Sequence, residues 1–194
     1  MFLRVAEFHR AFGHPVAATP ELPEQAVRDL RIKLIREELN EYCTAFENND
    51  RVEMADALAD LLYVLAGTAV SYGFAPDEPI ESPYDGRDPI EGRSGAYAQF
   101  LRDDFAKYEA AEQSNDIDLI RSAVFHMMVE IFGIARQSRI PINAVFTEVH
   151  RSNLTKLDEN GRVVTRDDGK VMKSDRYQPP AVAEIIEAWD SQLV

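Results

Sequence analysis

Between Ala55 and Ala66 every side chain is apolar except Asp56, Asp60 and Tyr63. A helix that is apolar nearly all round is a buried helix, and a buried carboxylate is costly unless a cation meets it. Glu53 lies one turn before Asp56, so the three acids follow an i, i+3, i+7 spacing and share an arc of roughly 60° on one face. The preceding segment, Glu21 to Phe46, predicts a second helix. Val27, Leu30, Leu34, Ile35, Leu39, Tyr42, Ala45 and Phe46 form its apolar arc. Glu38 and Glu41 fall inside that arc and Glu37 lies at its edge, whereas Arg28, Lys33, Arg36 and Asn40 mostly fall outside it. The short polar turn Glu47-Asn48-Asn49-Asp50 makes the two helices antiparallel neighbours, with their acids at similar heights.

Two readings meet here. A Glu-rich helical segment is ordinarily a solvated face, and Asp60 alone could be a core acid bonded to a tyrosine or to backbone. Two adjacent helices that both insert acids into apolar arcs favour a site for a hard cation. Its all-oxygen ligands suit Mg²⁺ or Mn²⁺ rather than zinc.

The remaining pattern is helical as well. Residues 2–12 predict a short helix ending near Gly13-His14-Pro15, and the acid-bearing helix from Arg51 stops near Tyr72-Gly73. Pro76, Pro79, Pro83, Gly86, Pro89, Gly92 and Gly95 mark a loop over 74–95. Helical periodicity returns over 96–113 and 117–137, Pro141 opens a short helix from Ile142 to about His150, and Ala181 to Trp189 closes the series. The stretch between is extended or irregular, with Gly161 and Gly169 as turn signals. No strand-rich region is present, so the fold class is all-α, in one domain over 1–194.

Charge and cysteine content narrow the chemistry. With 34 acidic against 21 basic residues the net charge is −13, which argues against a nucleic acid polymer as partner. The single cysteine, Cys43, excludes an internal disulfide and a cysteine-rich zinc site. The N-terminal segment is amphipathic rather than a signal peptide, and no apolar run reaches membrane-spanning length. A soluble, cytoplasmic chain with no membrane partner is expected.

Basic residues gather late. Seven of the 21 Lys and Arg side chains lie between residues 151 and 176, among Ser and Asn. That mixture suits phosphate oxygens, since Arg and Lys neutralise while Ser and Asn donate hydrogen bonds. Five interspersed acids leave open the alternative of a solvated tail. An acidic cation site beside a basic clamp is what a metal-dependent enzyme acting on a polyphosphate needs.

Glu38-x-x-Glu41, with Glu37 ahead of it, and Glu53-x-x-Asp56 resemble the ExxE…ExxD signature of the all-α nucleoside triphosphate pyrophosphohydrolases. That superfamily holds the MazG-like proteins, the phosphoribosyl-ATP pyrophosphohydrolases and the dimeric dUTPases. Glu7 to Gly13, Ala55 to Asp60, Val149 to Leu157, Asp168 to Lys173 and Pro179-Pro180 are most similar to the phosphoribosyl-ATP pyrophosphohydrolase-like branch. The resemblance covers roughly residues 1–73 and 140–185, and it marks 74–139 as a helical insertion.

The resemblance implies a helical bundle that cleaves a (deoxy)nucleoside triphosphate between its α- and β-phosphates, using two or more Mg²⁺ ions, with Mn²⁺ as a substitute. It implies Glu37, Glu38, Glu41, Glu53 and Asp56 as metal ligands, with Glu37 and Glu38 nearest the catalytic step and Glu37 either a ligand or the base. Asp60 would orient a ligand or a lysine. Within an irregular phosphate-binding tail over 151–180, Asn153, Lys156, Lys170, Lys173 and Arg151 would meet phosphates, and His9 and Phe12 would flank base or sugar. A homodimer or homotetramer is the expected assembly. A catalytically silent nucleotide-binding or dimerisation protein of the same fold is the alternative. The base remains open among uracil, cytosine, guanine, damaged bases and phosphoribosyl-ATP.

Overall fold

The structure is a computed structural model, and it describes residues 1–76 and 97–192. Seven helices account for its regular structure: α1 Phe2–Phe12, α2 Gln25–Glu47, α3 Arg51–Ser71, α4 Tyr97–Ser114, α5 Ile117–Gln137, α6 Ile142–Leu154 and α7 Val182–Ser191. The loop expected over 74–95 falls mostly outside the described residues.

α3 is the axis of the fold, packing against α1, α2, α5, α6 and α7. Of its residues only Arg51, Val52, Glu53, Asp56 and Asp60 escape full burial. The expectation that no apolar segment reaches spanning length fails for α3, a helix of 21 residues whose most apolar 18-residue stretch has mean hydropathy 1.4, long and apolar enough to cross a bilayer. Its apolar sides are met by helices of the same chain, which is the alternative origin of such a pattern. Asp50 starts the helix by accepting from the backbone N–H groups of Val52 and Glu53, both at 3.1 Å.

α2 begins at Gln25 rather than Glu21. Pro23 disfavours helical backbone at Leu22, and residues 17–21 are engaged elsewhere. Ala17 N donates to Val70 O at 3.1 Å and Glu21 N to Tyr72 O at 3.0 Å, satisfying carbonyls at the end of α3. This strand of chain passes so close that a Cβ on Gly73 (φ +71°) would stand 2.0 Å from Thr19 O.

The hairpin α4–α5 lies along α2–α3, with α4 on α2 and α5 on α3, so the four helices form one bundle. A buried ion pair joins the halves. Arg28 Nε donates to Glu112 Oε2 at 2.8 Å, Arg28 Nη1 to Asn115 Oδ1 at 2.7 Å, and the Tyr72 hydroxyl to Glu112 Oε1. Arg28 is therefore a buried residue, not a member of the polar outer face its position suggests. Its partner, 84 residues away in sequence, leaves no mark in the local pattern.

The segment after α6 is irregular apart from a small antiparallel hairpin with a Thr165–Val171 bridge. Gly161 (φ +70°) and Gly169 (φ +83°) supply its left-handed turns. Asp158 N donates to Arg162 O, and Gly169 N donates to Arg166 O.

Candidate active site

The tight α2–α3 turn sets a register in which the two helices meet residue by residue. Arg31 stands against Gly67, Leu34 and Val64 share a pocket wall, Glu38 faces Asp60, and Glu41 approaches Asp56 and Glu53. On α3 these positions follow one stripe of helical spacing, and on α2 they follow its mirror. The five acids of the two motifs line two adjoining cavities of about 480 and 420 Å³ that share Glu41 and Asp56. The larger also holds Glu37, Glu38 and Asp60, and the smaller Glu53. Glu41 and Glu53 are exposed, and both face these cavities. Like charges repel, however, and the acids spread along the stripe. Among the described residues no group of three or more His, Cys, Asp or Glu side chains is arranged, as it stands, to hold a metal ion.

Burial dominates the electrostatics. It holds Glu38 well above the carboxylate range, with Asp60 the next cause, and it raises Asp60 likewise, with Asp56 next. Asp56 is pushed up to about 6 by burial, then by Glu53 and Glu41, and Glu41 is raised by burial and Glu37. Asp56 Oδ1 is buried without a hydrogen-bond partner. Orphaned oxygen and proton-retaining acids in one stripe are what a divalent cation would relieve, so this donor set fits Mg²⁺ or Mn²⁺ chemically.

The opposite wall is basic. Lys156 is half-buried, and burial lowers its pKa against the pull of Asp60 and Glu38. Lys170 Nζ pairs with Glu37 Oε1. Lys173 lines the same cavity, its ammonium 4.5 Å from the centre of the Tyr177 ring. The buried Asn153 lines both this cavity and an inner pocket. Arg151 does not join them. Its guanidinium is taken up by Glu148 (2.8 and 2.7 Å), Gln178 Oε1 and Pro179 O, fastening the tail to α6. Arg166 does line the cavity, and it shares Asp168 with Lys33.

A narrower pocket of about 100 Å³ opens from the inner end of the cleft, sharing Glu38, Asp60, Asn153, Lys156 and Lys170 with it. Its walls are Phe8, His9, His14, Leu30, Leu34, Tyr63 and Val64, with Arg31 among them. Phe8 stacks on His14 at 5.9 Å and meets Tyr63 edge-on at 5.6 Å. His9 is buried and its pKa is lowered to about 3, by burial first and Arg31 second. Its Nδ1 donates to the Pro15 carbonyl at 2.8 Å, which leaves Nε2 as an acceptor. Phe12 instead packs into the core, stacked on Phe8 at 4.1 Å.

Arg31, His14, Phe8, Tyr63 and Arg166 are site-lining residues that sequence reasoning missed. A signal existed for Arg31, which precedes Ile35 by four and Glu38 by seven and so belongs to the inward stripe of α2. For Arg166 there is none, because its place depends on the fold of the tail.

The model of the phosphoribosyl-ATP pyrophosphohydrolase family matches residues 5–83, which contain most of α1 and the whole of α2 and α3. An uncharacterized protein of Acanthamoeba polyphaga mimivirus is 30% identical over 176 residues, spanning 79% of this chain and 69% of that protein.

Proposed function

The chain belongs to the MazG-like all-α superfamily through its phosphoribosyl-ATP pyrophosphohydrolase domain, and from that premise we propose that it hydrolyses a (deoxy)nucleoside triphosphate to the monophosphate and pyrophosphate. The observation that carries this reading is the stripe of acids on α2 and α3 facing Lys156, Lys170 and Lys173 across one cleft. A cavity of about 480 Å³ falls within the range of small-ligand sites. Glu38, Glu41, Glu53 and Asp56 would hold divalent ions, which supply Lewis-acid polarisation of phosphate oxygens and a more acidic bound water.

The chain's own groups do the rest. Lys156, Lys170, Lys173 and Arg166 offset the charge of the β- and γ-phosphates and of the departing pyrophosphate. Glu37 accepts the proton of the attacking water. As water oxygen bonds to the α-phosphorus, the bridging oxygen leaves with pyrophosphate. Asn153 sits where cleft and inner pocket join and holds the sugar end by hydrogen bonding. The aromatic pocket of Phe8, His14 and Tyr63 takes the base.

The test is pyrophosphate release across the common NTPs and dNTPs with Mg²⁺, Mn²⁺ or EDTA. Monophosphate and pyrophosphate in equal amounts, lost in EDTA and in Glu38→Gln and Asp56→Asn, are the expected result. Orthophosphate as first product, or turnover unaffected by these changes, would refute it.

A further inference from the structure

Arg31 lies at the end of the stripe away from the acids, and the chemistry above leaves it unused. It is 5% exposed, and its Nε is buried without an acceptor. The groups that face it are His9 and His14 from the N-terminal segment, Gly67 and Tyr72 from α3 and its end, and Tyr108 from α4. None is a carboxylate. Burial pulls the guanidinium down to about 10, which leaves it charged at neutral pH. The neighbouring helix makes room for it. A Cβ on Gly67 would stand 2.5 Å from Arg31 Nη1 and 2.9 Å from His9 Nε2. A buried charge without a counter-ion, admitted by a glycine in mid-helix, is costly twice over. A fold retains such a group where a ligand completes it.

We propose that Arg31 selects the nucleobase, donating to the exocyclic oxygen of an oxo-bearing base at the inner end of the pocket. The proposal rests on the nucleotide reading above and names the chemical class of base. Arg31 and Glu38 are seven residues apart on one helix, a rise of about 10 Å, so Arg31 stands two turns from the acid at which cleft and pocket join. Leu30, Leu34, Val64 and Phe8 give the pocket an apolar side that suits a planar ring. A guanidinium offers donors only. It satisfies both lone pairs of a ring carbonyl, whereas an exocyclic amino group meets it donor to donor. His9 Nε2, beside it and unprotonated, accepts from the ring N–H that adjoins the carbonyl in such bases.

Two substrate pairs that differ at a single exocyclic group test this: dITP against dATP, and dUTP against dCTP. For the wild-type protein kcat/KM favours the oxo member of at least one pair by about tenfold or more. Arg31→Gln and Arg31→Met bring that ratio toward one, while their melting temperatures are unchanged or raised, because a buried unpaired charge has been removed. An unchanged ratio in both variants, a wild-type preference for the amino members, or a fall in melting temperature in both variants overturns the proposal. If the wild-type protein releases pyrophosphate from none of the four, the proposed activity falls. Calorimetric binding of IMP against AMP and of UMP against CMP, repeated with the variants, then decides Arg31 by the same ratios.

Discussion

Replacing Asp56 by asparagine removes one charge from the acid stripe and keeps the side chain's shape. In the folded protein Asp56 holds its proton up to about 6, against 3.8 for an ordinary aspartate. A difference of about two units, at about 1.4 kcal/mol each, corresponds to roughly 3 kcal/mol. The carboxyl opens partly to the cleft, and solvent screening reduces this to about 1–2 kcal/mol. The sign follows from proton binding. Between the two pKa values the native state holds more protons than the unfolded chain, so stability falls as pH rises through about 4 to 6. Above that window the full penalty is present, and below it none is. Asp56→Asn therefore raises the melting temperature at pH 8 in EDTA by roughly 2–6 °C, the scale expected for a chain of this length. At pH 3.5 it raises it by little or nothing. Differential scanning calorimetry at both pH values measures this directly. Mg²⁺ at a hundred times its Kd stabilises the wild-type protein by about 2.7 kcal/mol and the variant by much less. A variant that melts lower at pH 8, or that gains equally at both pH values, refutes the claim that Asp56 is an uncompensated charge.

Other perturbations probe the frame and the basic wall. Glu112→Ala strands Arg28 as an unpaired buried cation and costs about 3–5 kcal/mol, read by urea denaturation; a loss below about 1 kcal/mol counts against the pair as a fastening between the bundle halves. Gly73→Ala forces a Cβ onto Thr19 O at positive φ and destabilises by at least about 2 kcal/mol, whereas Gly161→Ala, with nothing within 4 Å, loses only the smaller left-handed penalty of about 1 kcal/mol. Lys170→Ala raises KM about tenfold or more, the scale of one charge-assisted contact; an unchanged KM removes Lys170 from the phosphate site. Arg151→Ala leaves kcat/KM within about threefold and lowers stability by less than about 1 kcal/mol, because its partners, Glu148 on the same helix and Gln178 and Pro179 of the tail, do not line the cleft.

Every helix was legible in the chain from its apolar spacing, and the acid stripe from carboxylates placed inside apolar arcs. What escaped depends on distant partners. Arg28 and Arg31 look alike as helical arginines, yet one is matched by Glu112 and the other by no anion among the described residues. Arg151 at the end of α6 and Arg166 in the tail that follows are both basic, and only the folding of the tail brings Gln178 and Pro179 to the first and the second to the cleft. The start of α2 was misplaced because residues 17–21 serve the end of α3, a long-range use that local propensity does not record.

The hairpin of α2 and α3 is held at both ends, and the two fastenings differ in origin. Near the acids, Asp50 caps α3 immediately after the turn and fixes how Glu41 meets Asp56. Some twenty residues away, Arg28 and Tyr72 both bind Glu112, which belongs to the hairpin α4–α5. A slip of α2 along α3 would part Arg31 from Gly67 and Glu38 from Asp60 together, since the same register sets both. The α4–α5 hairpin thus does for the proposed base end what the turn does for the proposed phosphate end. It also brings Tyr108 beside Arg31, so the hairpin helps enclose the pocket where the base would be read. Loosening the Glu112 fastening should therefore alter discrimination between bases before it alters the acid cleft. Glu112→Gln, which keeps the size and one acceptor, separates the two. A changed oxo-to-amino ratio at constant metal dependence supports the coupling, and parallel losses in both argue that the bundle simply loosens as a whole.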